Sequence, residues 1–305
     1  MRLDRSLMDR RALGRGAVLL AVILQASGQV AYGTWLTDIP SPLFVFATFL
    51  LTATFFLVVS GRGAKFPAWK PLILLNASTA LTFLAFFYAL KIIEPAIASA
   101  LNVGVGPIFA VLIALMMTGT KPTTRRLVVC IGVLCGCAIL AAAAARGTEE
   151  AASTVSTALL GVAASIATGA GAVLITVASK ALLDRGWKSG AVLAHRFYLI
   201  LPISLAFATT ADLSAIEWSA ALAMVLLAVA VIGVIAPMYL LQVGIRYSEP
   251  YTVMVTMAAM PLVSFAIQGL SPAYAWTWLT AIGLAVITAF IFLDLLEAKA
   301  NRPKH

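Results

Sequence analysis

The sequence predicts an all-α integral membrane protein with ten transmembrane helices. It further predicts two inverted five-helix repeats (5+5), with both termini cytoplasmic. Three observations carry this. The chain is 62% hydrophobic and 11% charged, with a mean hydropathy of +1.02, whereas a soluble domain carries about 25% charged residues. Its apolar residues fall into ten runs, each near the roughly 20 residues that cross a ~30 Å hydrocarbon core as a helix. A charged heptad also recurs, as "ALKIIEP" at 89–95 and "GIRYSEP" at 244–250.

The predicted spans are 16–36, 42–60, 71–91, 96–118, 127–145, 157–179, 189–208, 219–243, 251–270 and 273–293. The first follows a basic lead-in, "MRLDRSLMDRRALGRG". It has no clear small-residue cleavage site, and Gln25, Ser27 and Gln29 interrupt it, so it reads as a helix and not a signal peptide. The chain then divides into a cytoplasmic segment 1–15, a first repeat 16–145 and an extracytoplasmic linker 146–156. A second repeat 157–293 and a cytoplasmic tail 294–305 follow.

Orientation follows from the basic residues. With the N-terminus inside, 18 of the 21 lysines and arginines fall on the cytoplasmic side, as the positive-inside bias requires. The outer loops keep Lys91 and Arg146, and Arg196 falls inside a span. Trp35, Trp69, Trp187, Trp218, Trp276 and Trp278 lie at span ends, where amphipathic rings favour the interface. The net charge of +9 is scattered between apolar runs and makes no basic face, so nucleic acid is not an expected partner.

The heptads join spans 3 and 4, and spans 8 and 9. Five spans separate them, so an odd number of crossings puts the copies on opposite sides of the membrane, as an inverted repeat would. Pro107 follows Pro95 by twelve residues, and Pro261 follows Pro250 by eleven. A mid-span proline removes a backbone donor and disturbs the carbonyl four residues earlier. Spans 4 and 9 are therefore expected to kink or break near the midplane. Each Glu-Pro pair also suits a helix start for local reasons, the acid facing the positive helix end and proline entering the first turn.

The stretches "FFYALKIIEPAIASALNVGVGPIFAVLIAL" and "GIRYSEPYTVMVTMAAMPLVSFAI" resemble the drug/metabolite transporter superfamily. More narrowly they resemble its EamA-type exporters, and bacterial amino-acid exporters of the YddG kind. The resemblance spans nearly the whole chain and implies a bacterial inner-membrane exporter of 5+5 topology. The family's second span usually carries an arginine near its start. Here "SPLFVFATFLL" has none, while "VLAHRFYLI" of the second half carries Arg196.

No GxxxxGK[ST], GxSxG or HExxH motif occurs, so nucleotide-driven pumping by this chain and covalent catalysis are not expected. No cofactor or metal is expected either. Cys130, Cys135 and Cys137 share one apolar run without a histidine or carboxylate and read as packing residues. The informative signal is polar residues inside spans, which are costly unless they face protein or a cavity. Gln25, Gln29 and Tyr32 share a face of span 1. Asn76 and Thr79, Ser99 and Asn102, Ser165 and Thr168, His195 and Arg196, and Tyr239 and Gln242 add to the candidate substrate site. Any one of them is equally suited to an interhelical hydrogen bond worth roughly 0.6 kcal/mol. Arg196 either snorkels or meets a substrate carboxylate. Glu94 and Glu249, paired with Lys91 and Arg246, are candidate gate residues, and Pro107 and Pro261 candidate hinges.

One mid-span arginine is too few for a multiply charged phosphorylated solute. The expected substrate is an amino acid, neutral or aromatic, or a similar small metabolite. A nucleotide-sugar or phosphorylated-metabolite exchanger, a channel and a membrane-embedded enzyme remain alternatives. The lipid bilayer is the other expected partner, with the protein a monomer or weak dimer through Gly132 and Gly136.

Overall fold

The computed structural model describes residues 2–60, 68–119, 121–147, 155–214, 216–247, 256–271, 274 and 277–300. The described residues are 84% helix, with no strand among them. The helices are α1 (Arg2–Trp35), α2 (Ser41–Ser60), α3 (Trp69–Ala89), α4 (Pro95–Gly104), α5 (Gly106–Thr118), α6 (Thr124–Gly147) and α7 (Val155–Asp184). They continue as α8 (Ser189–Ala194), α9 (Ile200–Thr209), α10 (Ala220–Ala230), α11 (Ala236–Tyr247), α12 (Met260–Gln268) and α13 (Trp278–Ala300). A π-helical turn, Val231–Ile235, joins α10 to α11.

Among the described residues six stretches are long and apolar enough to cross a membrane: Ala12–Trp35, Ser41–Ser60, Trp69–Ala89, Thr124–Arg146, Val155–Asp184 and Ala220–Leu241. Of the remaining predicted spans, the tenth is met by the unbroken α13, and the other three by shorter apolar helices, for which the reason is proline. Span 4 breaks at Val105, two residues before Pro107, and the stretch 256–268 breaks at Ala259, two residues before Pro261. Span 7 was expected to be continuous and is not. It is interrupted at 195–199, just before Pro202 in the first turn of α9. Pro237 acts more gently: it has no N–H to return to the Gly233 carbonyl, and the turn before it widens, with the Ala236 N–H donating to the Val231 carbonyl.

Packing is set by small residues. α3 runs along α7, and α1 along the π turn and α11; α4 packs on α7 and α1 on α12. α2 meets α9, α4 meets α12 and α6 meets α13. A Cβ on Gly28 would lie 2.3 Å from the Gly233 Cα, so α1 and the π turn touch backbone to backbone. On the other pair, a Cβ on Gly171 would lie 2.2 Å from Thr82 Oγ1. The Gly132/Gly136 pair is covered within the chain, by Phe290 and Ile287 of α13, so that face is not free for a second copy.

Trp35, Trp69, Trp218 and Trp278 are exposed near helix ends, while Trp187 is buried in a small core with Leu75, Ala178 and Val192. Helix α1 begins at Arg2, well ahead of the span expected from residue 16. Cys130, Cys135 and Cys137 form no disulfide with one another.

Candidate functional site

The four backbone irregularities come together. Gly106 beyond the α4 break, Arg196 in the α8–α9 break, Gly233 and Val234 of the π turn, and Met257 and Met260 flanking the Ala259 break all line one cavity of about 390 Å³. Irregular backbone at membrane depth is tolerated where protein buries it or where it lines a cavity. The remaining lining comes mainly from α1 (Gln25, Gly28, Gln29), α3 (Thr82, Phe83, Phe86, Phe87), Asn102 and Val103, the Thr168–Thr176 face of α7, and Pro237, Met238 and Leu241 of α11.

Arg196 is the only charged residue among the described lining residues. Its Nε donates to Thr79 Oγ1 at 3.3 Å, and its guanidinium lies 5.7 Å from the ring centroids of both Phe83 and Phe197. It pairs with no carboxylate among the described residues. It does not lie on a helix, as the sequence implied, but in the break, and Asn76 holds that break open. Asn76 Nδ2 donates to the His195 carbonyl at 2.9 Å, and Oδ1 accepts from the Leu199 N–H at 3.3 Å.

Of the thirteen candidate substrate residues, Gln25, Gln29, Asn102, Thr168 and Arg196 line the cavity. The other described ones lie elsewhere, each for a physical reason. Tyr32 is fully buried, donates to Ser41 Oγ at 2.9 Å and packs against Phe44 and Phe87. Asn76 and Thr79 position the Arg196 segment. Ser165 is buried with its hydroxyl unpartnered. His195 turns to Tyr198 OH and the Trp187 ring. Tyr239 is 52% exposed on the outer surface of α11. The Gln242 side chain lies outside the described residues, as does Glu249. The three phenylalanines and the methionines were missed because apolar residues in an apolar span carry no distinguishing signal, whereas Thr82 carried the same polar signal as Thr79 and was passed over.

One end of the cavity is closed by a polar clasp. Gln29 Oε1 accepts from Ser99 Oγ at 2.5 Å and from Ser264 Oγ at 3.3 Å, joining α1, α4 and α12. One turn further along α12, Gln268 Nε2 donates to Glu94 Oε2 at 2.6 Å, and its Oε1 accepts from the Ala96 N–H at 3.2 Å. Glu94 therefore pairs with α12, not with Lys91 as its heptad implied. Lys91 donates to the Leu36 carbonyl and lies over the Tyr32 ring. Burial pushes the Glu94 carboxyl above its usual range, partly opposed by the Gln268 bond. Ser264 and Gln268 went unnoticed in the sequence, although their i, i+4 spacing is the pattern that marked Gln25 and Gln29. Among the described residues no three His, Cys, Asp or Glu side chains gather into a metal site.

Membrane-length apolar helices around a solute-sized internal cavity define a multi-pass membrane protein. Residues 12–142 match the EamA-like transporter family, part of the drug/metabolite transporter superfamily. Members of that family are transporters, not enzymes. The fold is similar to that of a solved crystal structure, with a TM-score of 0.61 at 18% identity over 97% of this chain and 99% of the other. No curated protein matches the sequence.

Proposed function

We propose that the protein is a secondary transporter that exports amino acids, neutral or aromatic, or similar small metabolites by alternating access. The observation that carries this reading is the Arg196 guanidinium, with no carboxylate partner among the described residues, in a largely apolar cavity where four backbone breaks converge. About 390 Å³ falls within the ~300–1,000 Å³ of small-molecule sites. One cation suits one carboxylate, and Phe83, Phe86, Phe87 and Met260 suit an apolar side chain. Gln25, Gln29, Asn102 and Thr168 are the proposed polar contacts.

The packing supports ten spans in two inverted halves. Exchanging each span with the one five places later maps the α3–α7 pair onto α11–α1, and α4–α7 onto α12–α1. It maps α2–α9, α4–α12 and α6–α13 onto themselves. Breaks two residues before Pro107 and two before Pro261 obey the same exchange. Such discontinuous helices flank the central site of many secondary transporters. The Glu94–Gln268 clasp is then the gate on the outer side, with Pro107 and Pro261 as hinges and both termini cytoplasmic in a bacterial inner membrane. Glu249, which precedes Pro250 in the second heptad, is the proposed inner counterpart.

Counterflow in proteoliposomes tests the assignment. Vesicles loaded with unlabelled amino acids should show saturable, trans-stimulated uptake of labelled phenylalanine or leucine. Uptake absent across a broad amino-acid panel, in folded protein, refutes the amino-acid assignment. Competition by phosphorylated solutes would favour the exchanger alternative.

A further inference from the structure

The charges in the cavity are asymmetric in a way that bears on what it recognises. An α-amino acid carries a carboxylate and an ammonium, and a site selective for both would oppose each with a formal charge or a dense set of donors or acceptors. Here the carboxylate side is provided for. Arg196 contributes a guanidinium that, among the described residues, donates through Nε to Thr79, leaving its other N–H groups to bond an oxyanion. The helix N-termini of α5, at Gly106, and of α12, at Met260, both border the cavity, and such ends favour negative charge.

The ammonium side is not. No aspartate or glutamate stands among the described lining residues. The nearest described acid in the gate, Glu94, is held by Gln268 at the far side of the Gln29 clasp. Gln29 Oε1 is already engaged by Ser99 and Ser264, which removes one of the few side-chain acceptors an ammonium would use. Among its described lining residues the cavity therefore carries an uncompensated positive charge, and a solute bearing one negative charge neutralises it where a zwitterion does not.

We propose that this cavity recognises a single carboxylate on an apolar body and makes no use of an ammonium group, so that apolar monocarboxylates are ligands at least as good as the amino acids of the same skeleton. This rests on the carrier reading above and sharpens its substrate class. Monocations of the same skeleton should be rejected, because they would place like charges together in a site with little water to screen them.

Three ligands that differ only in charge test it: phenylalanine, 3-phenylpropanoate and phenethylamine. Binding is read at pH 7 by titration calorimetry and by thermal unfolding of the full chain in detergent, and phenylalanine counterflow is run in parallel. The expected result is that 3-phenylpropanoate binds at least as tightly as phenylalanine and phenethylamine does not bind. In Arg196→Gln the affinity for 3-phenylpropanoate should fall by about tenfold or more, the usual cost of losing a charge-assisted bond. Arg196→Lys keeps the charge and should keep the ranking, which separates a charge effect from misfolding. If phenylalanine binds and exchanges while 3-phenylpropanoate binds markedly more weakly, the ammonium is recognised and this proposal fails with the carrier assignment intact. If phenethylamine binds as well as 3-phenylpropanoate, charge is not selected and the proposal fails. Silence from all three ligands, with no amino acid moving in counterflow, overturns the amino-acid assignment and this inference together.

Discussion

Replacing Gln268 by leucine should open the clasp. Gln268 is 2% exposed and bridges two elements that would belong to opposite halves, donating to Glu94 Oε2 at 2.6 Å and accepting from the Ala96 N–H at 3.2 Å. Leucine removes both bonds and leaves a buried carboxylate and an amide to find water. At membrane-protein values of roughly 0.6 kcal/mol per bond the loss is about 1.2 kcal/mol, or about sevenfold in the closed-to-open ratio. With about 1 kcal/mol for the neutral bond and about 1.5–3 kcal/mol for the charged one, the shift reaches several hundredfold. The assay is labelling of a cysteine at Ser99, which is fully buried on α4 and whose bond to Gln29 is altered equally in both proteins, by a membrane-impermeant maleimide added on the Glu94 side. Cys130, Cys135 and Cys137 are replaced by alanine in both proteins. The Gln268→Leu protein should label at least several times faster. An unchanged rate in protein that elutes as a folded monodisperse peak would refute the idea that these bonds hold the gate shut.

Three further outcomes are expected. Because burial raises the Glu94 pKa in the closed clasp, the closed form holds its proton more tightly than an open, hydrated one. Closure is then strongest below the ordinary carboxylate range and weakens as pH rises through the raised pKa. Labelling at the Ser99 reporter, corrected for thiolate chemistry, should accelerate with pH, and Glu94→Gln should flatten the profile. Asp38, Lys91, Tyr32 and Tyr274 are the titratable neighbours, and none should reproduce that loss when neutralised. Gly28→Ala drives a methyl onto the Gly233 backbone, which cannot step aside, and should cost about 1–3 kcal/mol. Gly16→Ala, with nothing near its added Cβ, should leave the unfolding temperature in place, and equal effects would refute the close-approach argument. Asn76→Leu strips the His195 carbonyl and the Leu199 N–H of their shared partner. It should destabilise the protein by about 1–3 kcal/mol and weaken carboxylate binding through Arg196, so loss of neither in calorimetry would sink its positioning role.

Hydropathy and proline chemistry act locally, and what depended on them alone was legible in the sequence. The apolar runs fall where helices form, and Pro107 and Pro261 break theirs because a missing N–H disturbs the preceding turn whatever surrounds it. Pro202 carried the same signal and was passed over, so Arg196 was expected on a helix when it occupies a break. The recurring heptad offered Lys91 as the partner of Glu94, but Gln268 bonds it instead, since Lys91 is a neighbour in sequence and Gln268 a neighbour in space.

What only the tertiary structure decided is which polar group meets which. A glutamine or tyrosine in an apolar helix must satisfy its hydrogen-bonding groups, but its helix face does not say whether a neighbouring helix or a cavity will do so. Gln25, Gln29 and Tyr32 share a stripe, yet Gln25 faces the cavity, Gln29 fastens three helices at its edge, and Tyr32 is sealed against Ser41 and Phe87. The sequence by itself determined a membrane-embedded helical chain and where two of its helices break. The contacts between helices decided that those breaks, Arg196 and the π turn share one cavity, because that depends on which helices pack together, and hydropathy carries no record of it.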